Sequence, residues 1–193
     1  GLKVYYPACP ADAKGMLNLA LAGTDPVVFL EAQQLYDKAE EFDKAGVPVG
    51  YYETPEGEPA VRREGADLTI VTLGPVLYRA LAAADTLKEA HGLSAEVIDL
   101  RFLVPLNLEP VLASVRKTGR LLLVSDESER GSFLHGVATA VEEAAFDVLD
   151  SPPVVLGARN AVVATADIAP SHFPQPDTIL DAIHQRILPL PGR

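Results

Sequence analysis

The chain has 193 residues, one Cys, no Trp and a formal net charge of −11. That length suffices for one or two compact domains with a buried core. With 48% apolar and 22% charged residues, global disorder is not expected. Sixteen basic against 27 acidic residues argue against nucleic acid or an anionic membrane as the main partner, because both require clustered Lys and Arg. The lone Cys9 excludes an internal disulfide and a multi-Cys metal site. No apolar run is long enough for a transmembrane helix and no signal peptide is visible, so a reducing, cytoplasmic setting is expected. The sequence opens on Gly1, and Leu2-Lys3-Val4 reads as the interior of a domain, so the chain is expected to be a fragment.

Taken in order, Val4-Tyr5-Tyr6 reads as a short strand. Pro10 to Ala22 reads as a helix, with Pro10 in its first turn and Gly23 just past its end. Ala13, Met16, Leu17, Ala20 and Leu21 form its apolar stripe. Asp25-Pro26 turns the chain into a short buried strand at Val27 to Leu30. This strand–helix–strand piece has too few strands to close a core. Exposed apolar surface on the Met16 stripe or on Val27 to Leu30, and hence self-association, is expected.

Residues 31–60 hold eight acids (Glu31, Asp37, Glu40, Glu41, Asp43, Glu53, Glu56, Glu58) against Lys38 and Lys44, together with Pro48, Pro55 and Pro59. They read as a solvated connector, with Glu40-Glu41-Phe42-Asp43 a solvated face. The pattern then becomes regular. Strands are expected at Leu68 to Leu73, Ala95 to Leu100, Leu121 to Val124 and Val154 to Leu156. A helix follows Gly74-Pro75 with Leu77, Ala80, Leu81, Ala84 and Leu87 inward, ending near His91-Gly92. Asn107 can cap the next through its side-chain oxygen, with Gly119 as its stop. A long helix is expected from about Ser132 to Leu149 with Leu134, Val137, Val141, Ala144 and Val148 inward, and a closing helix from Thr178 to Ile187 after a Pro-containing loop. Strands of four to six residues alternating with helices of ten or more are βαβ units. They impose an α/β fold of three layers, a mostly parallel sheet between helices.

No Gly-rich phosphate loop of either common type is present, nor the Gly-Asp-Gly run typical of a thiamine diphosphate and Mg²⁺ site. No two of His91, His135, His172 and His184 have metal-ligand spacing. His91 sits where a helix C-terminus favours a cation. The run Asp126 to Ser132 lies between a strand and a helix, where ligands of open parallel sheets bind. Ser132 can cap that helix, but the neighbouring acids disfavour anion capture, and a solvated loop near an interface is the plainer reading. Cys9 precedes a helix N-terminus, which can lower a thiol pKa. The residues alone thus offer no catalytic constellation.

Six segments, in order and at near-equal spacing, resemble the β subunit of the thiamine-diphosphate-dependent 2-oxo acid dehydrogenases, their E1 component. They are Gly1-Leu2-Lys3-Val4 with Pro7 and Ala11-Asp12-Ala13-Lys14-Gly15; Asp25 to Glu31; Arg63 to Val71; Ala95 to Arg101 with Pro105-Leu106; Ala113 to Leu121; and Phe146 to Asp150. The resemblance implies that residues 1–31 are the end of a pyrimidine-binding domain, 32–65 an acidic connector and 66–193 a transketolase-type C-terminal domain. It implies that the activating glutamate and active-site histidine precede Gly1. Thiamine diphosphate and Mg²⁺ are then held by an E1 α subunit or an α-like half, and this chain contributes no catalytic or cofactor-binding residue and is inactive alone. A second β subunit is an implied partner, and so is the lipoyl-carrying E2 component. A K⁺ site is implied at Ala20, Leu21, Gly23 and Asp25, and an E2 contact at Asp150. The alternatives are a non-catalytic α/β interaction domain and the same terminal domain of another transketolase-like thiamine enzyme.

Overall fold

A computed structural model describes residues 1–162 and 171–192. Strand β1 (Lys3–Tyr5), helix α1 (Pro10–Ala22) and strand β2 (Val27–Phe29) form the first βαβ unit, with β1 and β2 parallel. A single 3-10 turn, Gln33–Leu35, follows. Strand β3 (Ala60–Arg63) and strand β4 (Leu68–Thr72) lead into helix α2 (Val76–His91). Next come β5 (Ala95–Asp99), β6 (Phe102–Val104), α3 (Glu109–Thr118), β7 (Leu121–Ser128) and α4 (Phe133–Ala145). Strand β8 (Val154–Ala158) and α5 (Pro176–Arg186) complete the described elements. The Pro-containing loop expected before α5 falls partly outside the described residues.

The main sheet has the order β3-β5-β4-β7-β8. Strands β5, β4, β7 and β8 are parallel, and β3 is an antiparallel edge. Alternate residues of these strands face opposite layers. Leu68, Ile70, Leu122 and Val124 pack against Leu77, Ala80 and Leu87 of α2 and Ile179 and Ile183 of α5. Val71, Leu73, Leu121 and Leu123 pack against Val111 and Val115 of α3 and Leu134, Val137 and Val141 of α4. This is the three-layer α/β architecture expected from the alternating strands and helices. The local stops agree as well: Gly92 and Gly119 close α2 and α3 in the left-handed conformation, at φ 68° and 67°. The start of α3 differs by one residue: Leu108 holds the N-cap position, and Asn107, just before it, accepts the Glu109 N–H on its Oδ1 at 3.1 Å.

Four expectations need correction. The connector is not wholly irregular: β3 lies within it and pairs with β5, so the sheet begins before residue 66. The first unit gains a third strand, since β6 pairs antiparallel with β1 in the order β2-β1-β6. Its core is nonetheless small, resting on fully buried Tyr5, Met16 and Phe102. Third, α1 turns Asp12, Gly15 and Met16 inward, and leaves Leu17 and Leu21 of the expected stripe 45% and 77% exposed. Val28 and Leu30 are exposed too, as expected of an incompletely covered unit, so β2 is not the buried strand its apolar run suggests. Fourth, α4 stops at Ala145, where a 3-10 turn, Phe146–Val148, takes over. Ala145 rather than Ala144 therefore faces inward.

Candidate functional site

Asp99 ends β5 inside an apolar run, Val97-Ile98-Asp99-Leu100, and is fully buried. A carboxylate there requires a cationic partner. Arg62 on β3, the strand paired beside it, supplies one: its Nη2 lies 3.0 Å from Asp99 Oδ2 and also donates to Asp12 Oδ2 on α1. Arg101 completes the chain of charges, with Nη1 2.9 Å from Asp12 Oδ1 and its remaining nitrogens on the Glu58 carbonyl at 3.0 and 2.6 Å. Arg101 adopts φ 57°, a left-handed conformation that costs a non-glycine residue about 1 kcal/mol or more. The Arg62 guanidinium also lies 4.4 Å from the Phe42 ring centroid. Acid, base, acid, base thus alternate from the main sheet to the first unit.

Burial pushes the Asp99 carboxyl up to about 6 against the opposing pull of Arg62, with the Asp12 carboxylate adding to the rise. Burial acts to lower Arg62, but Asp99 and then Asp12 outweigh it and hold the guanidinium above its ordinary value. The guanidinium therefore stays charged, while burial favours the neutral form of Asp99. Cys9 lies beside the cluster, its Sγ 3.7 Å from Arg62 Nη2. Burial, then Asp12, pushes its thiol up to about 12, so the helix N-terminus does not make it a thiolate. The cluster holds no nucleophile next to a base. Its capacity is orientation: it locks α1 onto the carboxyl end of β5.

The residues named for K⁺ lie at the other end of α1. Ala20 and Leu21 are in its last turn, and Gly23 N–H donates to the Leu19 carbonyl at 3.2 Å. The Asp25 carboxylate faces the Lys3 ammonium at 3.3 Å, and Lys3 also pairs with Glu56 at 2.9 Å. Asp150 lies elsewhere, after the 3-10 turn, paired with Arg120 at 2.9 Å and tied by its N–H to the Gly119 carbonyl at 2.8 Å. It borders a groove of about 300 Å³ formed with Glu142, Phe146, Leu149, Pro152 and Pro153, and Phe146 is 78% exposed. In the Asp126–Ser132 loop, the anion at the α4 N-terminus is the chain's own. Glu127 Oε2, not Ser132, accepts the Phe133 N–H at 3.1 Å, while Ser132 Oγ lies 3.1 Å from His135 Nδ1. His91 Nδ1 lies 3.0 Å from the Pro191 carbonyl oxygen, and His184 Nδ1 accepts the Leu190 N–H at 2.9 Å.

Among the described residues no three His, Cys, Asp or Glu side chains converge as a metal-ligand set. No described helix is long and apolar enough to cross a membrane.

Sequence pattern does not reveal the charge cluster, because Arg62 sits just past the acid-rich stretch, within the 32–65 connector. The available signal is Asp99 itself, an acid within a strand's apolar run.

Comparison with known proteins places these features in a family. The family model for the transketolase C-terminal domain matches residues 57–179. The chain is 39% identical over 179 residues to the β subunit of the pyruvate dehydrogenase E1 component of Acholeplasma laidlawii, covering 93% of this chain and 53% of that protein. It is 40% identical over 152 residues to the 2-oxoisovalerate dehydrogenase β subunit of Bacillus subtilis, covering 79% and 45%. It is 43% identical over 149 residues to the β subunit of the acetoin:2,6-dichlorophenolindophenol oxidoreductase of Cupriavidus necator, covering 77% and 42%. The chain therefore spans about half the length of these curated relatives. A solved structure described as a split-gene transketolase, an inactive β4 tetramer, shares the fold, with a TM-score of 0.74 at 24% identity over 96% of this chain and 57% of that one. This chain, with its parallel sheet flanked by helices on both faces, belongs to the transketolase C-terminal domain family.

Proposed function

We propose that the chain is the C-terminal part of a 2-oxo acid dehydrogenase E1 β subunit, supplying a subunit interface and an E2 contact to an enzyme whose catalytic groups lie in other segments. The observation that carries this reading is the 39% identity extending over 93% of the chain. In the whole enzyme a 2-oxo acid is decarboxylated and its acyl group passed to lipoamide. The relatives' names differ in pyruvate, 2-oxoisovalerate and acetoin at 39–43% identity, so likeness does not select the substrate. The cofactor belongs to an E1 α subunit or α-like half. The exposed Leu17, Leu21 and Val28 face is where another part of the assembly packs. Titration calorimetry of the isolated chain with thiamine diphosphate and Mg²⁺ is expected to show no binding; tight binding to this chain alone overturns the assignment. The same reading puts K⁺ at Ala20, Leu21 and Asp25, where it displaces the Lys3 ammonium. Melting then rises when KCl replaces NaCl, and equal melting removes the site.

The E2 contact is drawn to the Phe146 groove. An exposed aromatic bordered by Glu142, Glu143, Asp147 and Asp150 suits a cationic partner surface with an apolar centre. Aromatic anchors carry most of such binding. Phe146→Ala is therefore expected to weaken the affinity for the E2 subunit-binding domain about 30-fold, a loss of about 2 kcal/mol. Asp150→Asn weakens it less, because Arg120 already screens that carboxylate. Unchanged affinity for both variants moves the contact elsewhere.

A further inference from the structure

Residues 31–46 cross the N-terminus of α1 between two fixed posts. Upstream, Leu30 N–H donates to the Tyr5 carbonyl at 2.8 Å. Downstream, Thr54 N–H donates to the Gly15 carbonyl at 3.2 Å, and Asn18 Nδ2 donates to the Tyr52 carbonyl at 2.8 Å. None of residues 31–50 is buried, whereas Ala8 and Cys9 beneath them are 1% and 5% exposed. Between the two layers lies a cleft of about 210 Å³, about half open to solvent. Its floor is Pro7, Ala8, Cys9 and Ala13, and its roof includes Leu35 and Tyr36.

Few contacts hold the roof. Glu40 is central: Oε2 accepts the Ala11 N–H of α1 at 2.7 Å, while Oε1 accepts the Phe42 and Asp43 N–H groups at 2.8 and 3.1 Å. One carboxylate thus complements the positive end of α1 and shapes the crossing loop. Beside it, Lys38 Nζ stands 4.0 Å from the Tyr78 ring centroid, and Phe42 lies 6.1 Å from the same ring. Gly46, at φ 78° with open space around it, can serve as the pivot. Phe42 is half-buried against the main core, with the Arg62 guanidinium 4.4 Å from its ring centroid, so Glu40 and Phe42 are the segment's two main fastenings; with none of its residues fully buried, the segment belongs to the less stable part of the structure.

We propose that residues 31–46 form a hinged strap, latched by Glu40 onto the N-terminus of α1 and by Phe42 onto the main core, that opens as a unit and exposes Cys9, at the floor of the cleft, to small molecules without unfolding the main sheet. The cleft's apolar floor suits a compact apolar group, and Cys9 is its built-in reporter.

Alkylation of Cys9 by iodoacetamide tests the strap on the full chain. In the wild-type protein the labelling rate is expected to be independent of urea at low concentrations, as for a local opening. Glu40→Ala is expected to raise the rate tenfold or more, and Phe42→Ala to raise it as well, with circular dichroism unchanged. Wild-type labelling that follows the urea dependence of global unfolding, or Glu40→Ala labelling at the wild-type rate, overturns the proposal. Should the variants fail to fold, hydrogen exchange of the wild-type chain decides. The Ala11, Phe42 and Asp43 amides are expected to lose protection together and well before β4 and β7. Exchange of all of them at the rate of those strands overturns the strap.

Discussion

Replacing Arg62 by Met is expected to destabilise the chain by about 3–5 kcal/mol at pH 7.5, because it strands a fully buried carboxylate. Asp99 has its ion pair with Arg62 and lies near a second acid, Asp12, which adds to the rise of its pKa. The deficit depends on pH in a definite direction. An unfolded Asp loses its proton near pH 3.9, whereas Asp99 in the folded chain loses it near pH 6. Between those values the folded state binds more protons than the unfolded one, so Asp99's contribution to stability is full below about pH 4 and is lost as pH rises to about 6. Without Arg62 the folded pKa climbs further, and the orphaned carboxyl stays protonated to higher pH. Urea melts are therefore expected to show a smaller deficit for Arg62→Met at pH 5 than at pH 7.5. Asp99→Asn should flatten the slope between pH 4 and 6. A deficit below 1 kcal/mol, or one equal at both pH values, would mean that the buried acid does not depend on Arg62.

The same cluster marks where sequence pattern ceases to determine structure. The main sheet was legible because each parallel strand is a continuous apolar run followed by an amphipathic helix, as in Leu68 to Leu73 before Leu77, Ala80 and Leu87. Gly92 and Gly119 ended α2 and α3 where glycines were expected to. What pattern does not encode is an element formed through a distant partner. The segment Ala60–Arg63 carries two arginines and little alternation, and becomes a strand only because β5 offers it an edge. Phe102–Val104 pairs with β1 across about a hundred residues of chain. Likewise, Asp12 lies on a helix whose apolar residues suggest a different inward face. The attraction of Arg62 and Arg101 for Asp12, together with Met16, turns that helix and leaves Leu17 and Leu21 outside. Of the candidate contacts, Asp150 came from family resemblance rather than from local pattern. Phe146 beside it is exposed because α4 stops at Ala145 and a 3-10 turn follows, a change of helix type that the apolar pattern does not encode.

Gly65→Ala is expected to destabilise the chain by about 3 kcal/mol or more, the upper range for forcing extra volume into packed structure. The reason is topological. Because β3 and β4 flank β5 in the sheet, the segment from Arg63 to Leu68 must step across the start of β5. Gly65 is the crossing point: a Cβ added to it would fall 2.2 Å from both the Ala95 carbonyl carbon and the Glu96 nitrogen. These are backbone atoms of a strand paired on both sides, so neither can rotate away as a side-chain tip would. Relief requires β3 to lift from β5, which would also withdraw Arg62 from Asp99 and loosen α1. With about 2–4 °C per kcal/mol for a chain of this size, the melting temperature is expected to fall by about 6–12 °C. Gly50→Ala is the matched control, since a Cβ added there would meet nothing within 4 Å and its φ is not positive; it should be neutral or slightly stabilising. Equal melting of the two variants would show that β3 can be displaced at little cost. The charge cluster would then be a surface feature of a loose edge rather than the joint between the two units.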